Sequence, residues 1–257
     1  MKHSKQMIAL LAIIFLIHQL FGIFAVSRAQ TDLSTQYEPS QASTHIILLP
    51  AMIIMASLLF LFLSKFKKIL ICWHFFAIVL CGFITLSLFI SPIKALILSA
   101  MIMIIKKSTN DNYFNNVSEF IIYPAIPILF LPFINMLSAI ILLLIISVYD
   151  VFAVYYSKHM VALAKTQLKS DIFLGIKIST KKGSALIGGG DIAFVMIFVC
   201  SAFRDYGLLS SIISAIFSAL GLALLLIIAK KKKFYPAMPF LALSSIIGFF
   251  FSILLIH

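Results

Sequence analysis

Charge is what this chain has least of. Only 11% of its 257 residues are charged, against about a quarter in a typical soluble domain, while 63% are hydrophobic and 25 are Phe. A water-soluble globular domain is excluded on that ground, and the length leaves room for one polytopic membrane domain. Acids are scarcer than bases, eight against 20. In a soluble protein the resulting charge of +12 would suggest nucleic acid. Here the bases cluster in short connections between apolar runs, a pattern that reads as topology and contact with membrane lipids rather than as a nucleic-acid surface. Three cysteines, Cys72, Cys81 and Cys200, all lie in apolar segments, and an odd set in that setting argues for buried thiols and against a disulfide framework. No histidine begins an HExxH pattern and no glycine is followed two residues later by serine, which argues against a zinc protease and a rhomboid-like serine protease. His18 and His74 sit in apolar runs without a second ligand at helical spacing, so they read as packing residues. No metal or cofactor is expected.

What is present is a series of nine apolar runs near the roughly 20-residue length that a bilayer requires. They fall at about 7–26, 45–64, 69–90, 92–105, 118–134, 136–156, 185–203, 208–229 and 237–256. The expected fold is all-α, one transmembrane domain of nine helices: helices one to six over 1–156, a cytoplasmic loop over 157–184, and helices seven to nine over 185–257. The stretch from Phe120 to Tyr149 carries no charge and is divided by the turn signal Pro132-Phe-Ile-Asn135. No period of 20 to 50 residues recurs, so a repeat architecture is not indicated. The first run follows Lys2 and Lys5 and precedes Ser27-Arg-Ala29, as a signal peptide would. It is longer than the roughly 7 to 15 apolar residues such peptides use, and it reads as a retained helix.

Orientation follows from the bases. With the N-terminus in the cytoplasm, 17 of the 20 Lys and Arg fall inside and only Arg28, Lys94 and Arg204 outside. So strong a bias places the N-terminus inside and the C-terminus outside.

The acids carry the chemistry. Of Asp32, Glu38, Asp111, Glu119, Asp150, Asp171, Asp191 and Asp205, the span boundaries leave only Asp150 and Asp191 embedded. A carboxylate in hydrocarbon costs at least a few kcal/mol and marks an ion path, a proton relay or a catalytic centre. Asp150 lies about six residues before the cytoplasmic end of span six and Asp191 about six after the start of span seven, so at 1.5 Å per residue both sit roughly 9–10 Å deep. Gly188, Gly189 and Gly190 precede Asp191, predicting a bent or frayed segment where backbone can approach a ligand. Two facing carboxylates cannot both ionise cheaply, so they hold one proton between them. One can take a proton from a shared water while the other donates to the carbonyl oxygen under attack, which is aspartic peptide hydrolysis without metal or covalent intermediate.

Three motifs in register give the chain a family resemblance. Tyr149-Asp150 at the end of one span, Gly188-Gly189-Gly190-Asp191 at the start of the next and Pro236-Ala237-Met238 opening the last resemble the YD, GxGD and PAL motifs of the presenilin and signal peptide peptidase family of intramembrane aspartyl proteases. The resemblance implies that Asp150 and Asp191 are the catalytic dyad, that Pro236, Ala237 and Met238 shape the active site beside them, and that transmembrane helices are the substrates. Met238 departs from the family's leucine, a swap of similar volume. The inferred orientation resembles presenilins rather than the inverted signal peptide peptidases. The short 157–184 connection resembles the small single-subunit microbial members, which implies a prokaryotic plasma membrane with the pair toward the cytoplasm.

A helical substrate must unwind before water can reach a peptide bond, and its freed backbone groups then need partners. The β-branched stretch Leu174-Gly-Ile-Lys-Ile-Ser-Thr180 could serve as a strand that pairs with unwound substrate, or be a basic connector only. Lys181 and Lys182 read as topology signals. The rival from another class is a cation- or proton-coupled transporter using the same two aspartates, with the glycines breaking a helix. The other half of the chain has no matching broken helix, which favours the protease. An inactive scaffold that binds transmembrane helices is a third possibility.

Overall fold

The computed structural model describes residues 5–33, 67–109, 111–156, 175–180, 183–229 and 235–256. Span two of the sequence reading, residues 45–64, lies outside them, as do Lys181 and Lys182.

The described chain is almost wholly helical. α1 is Lys5–Leu33, α2 Lys67–Ser87, α3 Pro92–Ser108, α4 Asn112–Ile122, α5 Ala125–Phe130, α6 Met136–Tyr155, α7 Gly189–Tyr206, α8 Leu208–Ile228 and α9 Met238–Ile256. Among the described residues, five stretches are long and apolar enough to cross a membrane: Lys5–Gln30, Tyr113–Phe133, Met136–Tyr155, Leu208–Ile228 and Met238–Ile256. The expected fifth span is one of them but is not one helix. α4 stops before Tyr123-Pro124, α5 is 6 residues long, and a 3-residue 3₁₀ turn at Leu131–Phe133 follows. Prolines 124, 127 and 132 supply no amide to an α-helical ladder, which accounts for the interruptions.

α7 is the hub. Ten of its 18 residues are buried, and it packs against α1, α5, α6, α8 and α9. Phe198, Val195, Met196 and Ile197 join Phe15, Leu11 and Leu143 in a single core. Close helix approach depends on small residues, as is general where lipid removes the hydrophobic drive between helices. A Cβ at Gly248 would fall 2.6 Å from Phe217 Cβ, so the α8–α9 contact needs glycine there, whereas one at Gly22 would fall 2.6 Å from the Met196 side chain, which would have to shift. Arg204, near the end of α7, donates to the carbonyls of Leu131 and Ile134, and Asp205 accepts from the Met136 amide at 2.9 Å. These bonds tie the proline-rich turn to the hub.

The exception to all-α is an antiparallel hairpin, β1 Gly175–Thr180 and β2 Gly183–Gly188, in register from Gly175↔Gly188 to Thr180↔Gly183. It decides between two readings and corrects a boundary. The stretch read either as a strand or as a basic connector is a strand over Gly175–Thr180, paired within the chain. The segment placed at the start of span seven, residues 185–188, is strand as well, so the helix begins at Gly189.

Candidate active site

The hairpin delivers the chain to α7 at the glycine run. Gly188 ends β2 and is the N-cap of α7, with Gly189 and Gly190 its first two residues and Asp191 its third. The glycines therefore mark a strand-to-helix junction instead of a bend inside a helix. Asp191 at the third helical position reaches back to the Gly188 amide, as a capping-box acid does, where the helix dipole favours negative charge. The three glycines are not equivalent. A Cβ at Gly188 would crowd Asp191 Oδ2 at 3.2 Å, and one at Gly189 would fall 2.5 Å from the Tyr123 hydroxyl oxygen. One at Gly190 would meet Phe194 at an ordinary 3.7 Å.

Asp150 comes from the other direction, five residues before the end of α6, and is 8% exposed. Its Oδ2 accepts the Met238 amide at 3.1 Å, with the Ala237 amide also directed at it. Pro236-Ala237 is a non-helical lead-in to α9, and Met238 is its first residue. Asp150 is thus held at the N-terminus of one helix and Asp191 in the first turn of another, each by backbone amides. These contacts use main chain, so a change of side chain at 238 leaves them intact; Met238 itself is buried against the core.

α6 packs on α7, and the two carboxylates lie within Coulombic reach of each other. The structure brings together Asp150, Asp191, Gly188 and the 236–238 segment. Tyr149 is 37% exposed and Tyr235 packs partly buried on the core. His18 stacks on Phe120 at 3.6 Å and its Nδ1 bonds the Ile14 carbonyl at 2.8 Å, a packing role as expected. Among the described residues, no cluster of three or more His, Cys, Asp or Glu could hold a metal ion.

The sequence reading missed a third embedded acid. Glu119, assigned to a span edge, is 0% exposed, and its Oε1 pairs with Lys106 Nζ at 2.5 Å. Lys106, counted as a topology signal, is 9% exposed. A desolvated ion pair on α3 and α4 satisfies both charges where neither could stand alone. Their spacing of 13 residues across a turn carries no local signal. Tyr123, one helical turn beyond Glu119, is 3% exposed and interacts with both Glu119 and Asp191.

The Tyr123–Gly189 contact gives a sharp expectation. Gly189→Ala should destabilise the protein by about 1–3 kcal/mol through overpacking and slow any turnover at Asp191. Tyr123→Phe, which removes the oxygen in the way, should recover part of both losses. Thermal unfolding of the four members of the cycle measures this, and strictly additive effects would contradict the contact.

The sequence model of the family described as signal-peptide peptidase, presenilin aspartyl protease matches residues 11–257. No curated protein matches the chain significantly. A presenilin family intramembrane aspartate protease solved in space group C222 superposes with a TM-score of 0.71 at 20% identity, over 96% of this chain and 99% of that one. A structure with the same description in space group P2 gives 0.69 at 20% identity, over 94% and 96%. At that identity the likeness establishes the fold.

Proposed function

Because the chain belongs to the signal-peptide peptidase and presenilin aspartyl protease family, an integral membrane family, we propose that it is an endopeptidase that hydrolyses peptide bonds within transmembrane helices of other membrane proteins. The observation that carries the proposal is the pair Asp150 and Asp191, each fixed by backbone amides at a helix N-terminus and each within electrostatic range of the other.

With one proton on the pair, the ionised carboxylate takes a proton from a water placed between them. The water oxygen attacks the peptide carbonyl carbon, and the protonated partner donates to the carbonyl oxygen. The resulting diol collapses as a proton passes to the amide nitrogen and the C–N bond breaks, leaving a new carboxyl and a new amine. The dyad returns to its single-proton state. No cofactor takes part.

The hairpin supports the way substrate is held. Lys177 is paired to α4 on its outer side through Asn116, so the strand expected to receive substrate, β1, has both edges occupied over that stretch. Antiparallel alternation then turns the main-chain groups of Leu186, opposite Lys177, to the outer edge of β2. Unwound substrate pairing there would run toward Gly188 and Asp191, its freed amides and carbonyls satisfied in place of lipid. Seventeen of the 20 basic residues favour an orientation with the N-terminus inside, which places the dyad toward the cytoplasm, in keeping with the plasma membrane of a prokaryote.

Purified protein in lipid vesicles, given a single-span transmembrane peptide, should release two fragments cut within the span. Proton or cation flux with no fragment would sink the protease reading in favour of a transporter.

A further inference from the structure

The outer edge of β1 is closed by one face of α4. Asn116 treats Lys177 as a neighbouring strand residue would: its Nδ2 donates to the Lys177 carbonyl at 2.9 Å and its Oδ1 accepts the Lys177 amide at 3.0 Å. Asn115 Nδ2 donates to the Gly175 carbonyl at 3.1 Å. The Gly175 amide is directed at Glu119, whose own charge is held by Lys106. The Gly175 carbonyl and both main-chain groups of Lys177, residues that alternation turns away from β2, therefore have side-chain partners on α4.

An unpaired strand edge is a template for any extended chain. A two-stranded sheet has two such edges, and substrate adding to β1 would lie one strand further from Gly188 and Asp191 than substrate adding to β2. We propose that Asn116, supported by Asn115 and by the Glu119–Lys106 pair, acts as a surrogate strand that denies β1 to substrate. Asn116 is thus a positioning residue that restricts pairing to β2 and sets which peptide bond reaches the dyad. The statement rests on the protease reading for its consequence, whereas the closure of the edge stands on the hydrogen bonds themselves.

α4 is suited to this because residues 115, 116 and 119 share one face at helical spacing. Asparagine at 116 carries a donor and an acceptor on one planar group, the combination a peptide unit presents. Aspartate offers only acceptors and alanine neither.

The test uses the full chain in lipid nanodiscs, with hydrogen exchange at the Lys177 amide and mass spectrometry of fragments from a single-span peptide. Wild type should protect Lys177 and give one dominant scission. Asn116→Ala should raise Lys177 exchange about tenfold, as the loss of one net hydrogen bond implies. It should also spread scission over neighbouring bonds and lower kcat and KM together, as an added binding mode for the substrate does. Asn116→Asp, which preserves the acceptor, should keep Lys177 protected while spreading scission less. An Asn116→Ala enzyme with wild-type exchange and a single wild-type scission would overturn the proposal. So would a loss confined to kcat with the scission pattern unchanged, the mark of a merely structural role. A wild-type protein that cuts no peptide would refute the protease reading instead, and Lys177 exchange in Asn116→Ala would then decide the edge closure by itself.

Discussion

Replacing Asp150 or Asp191 by alanine should each lower kcat for a transmembrane peptide by at least about 10²–10⁴-fold, the range one positioned acid or base contributes. The double variant should be little worse than either single one, because two groups that share a proton and a water act as a unit. Folding should survive. Asp150 is held by the amides that open α9 and Asp191 by the amide that caps α7. Removing either carboxylate frees those amides at helix ends and relieves the other acid of a repulsive neighbour. A thermal midpoint equal to or above wild type, together with absent fragments, is the expected signature. Fragments at an undiminished rate from either variant would exclude the dyad.

The second large effect is expected at the hairpin. Ile178→Pro should reduce cleavage to background without preventing membrane insertion. Ile178 pairs with Ala185, and because Lys177 faces α4, alternation points the Ile178 amide at β2. Proline deletes that amide and leaves a ladder carbonyl without its donor, at a cost of about 1–3 kcal/mol. The buried Ile178 side chain is lost as well. A two-stranded hairpin is marginal to begin with, so this is enough to open β2 and remove the edge on which unwound substrate would lie. Ile178→Val, which takes away one methylene and no hydrogen bond, should cleave at close to the wild-type rate. Scoring fragments against immunoblotted protein separates the two; an Ile178→Pro variant with normal turnover would dismiss the hairpin as a substrate platform.

What could be read from the chain alone depended on how much each feature contrasts with its surroundings. Asp150 and Asp191 stood out because a carboxylate in an apolar run has few other uses, and Gly188-Gly189-Gly190 stood out because glycine is costly in a helix. Five long apolar stretches among the described residues follow from composition in the same way. The hairpin was half visible: Ile176 and Ile178 gave a β-branched alternation, but their partners Ile187 and Ala185 lie in a stretch whose hydropathy reads as helix. Hydropathy cannot separate a buried strand from the head of a transmembrane helix, so the start of α7 was placed four residues early. The Lys106–Glu119 pair and the Asn116–Lys177 clamp were invisible. They join residues 13 and 61 positions apart, and only tertiary packing relates them. Glu119 looked like a span boundary because an unpaired acid belongs there; its partner on the preceding helix is what allows it inside.

The pH dependence of kcat for wild-type enzyme on a transmembrane peptide puts the shared proton to the most direct test. Two coupled carboxylates holding one proton predict a bell: turnover falls on the acid side as both become protonated and no base remains, and on the alkaline side as both ionise and no acid remains. A rate that rises or falls through a single titration, or that stays flat across the range in which the protein remains folded, would contradict a dyad formed by Asp150 and Asp191.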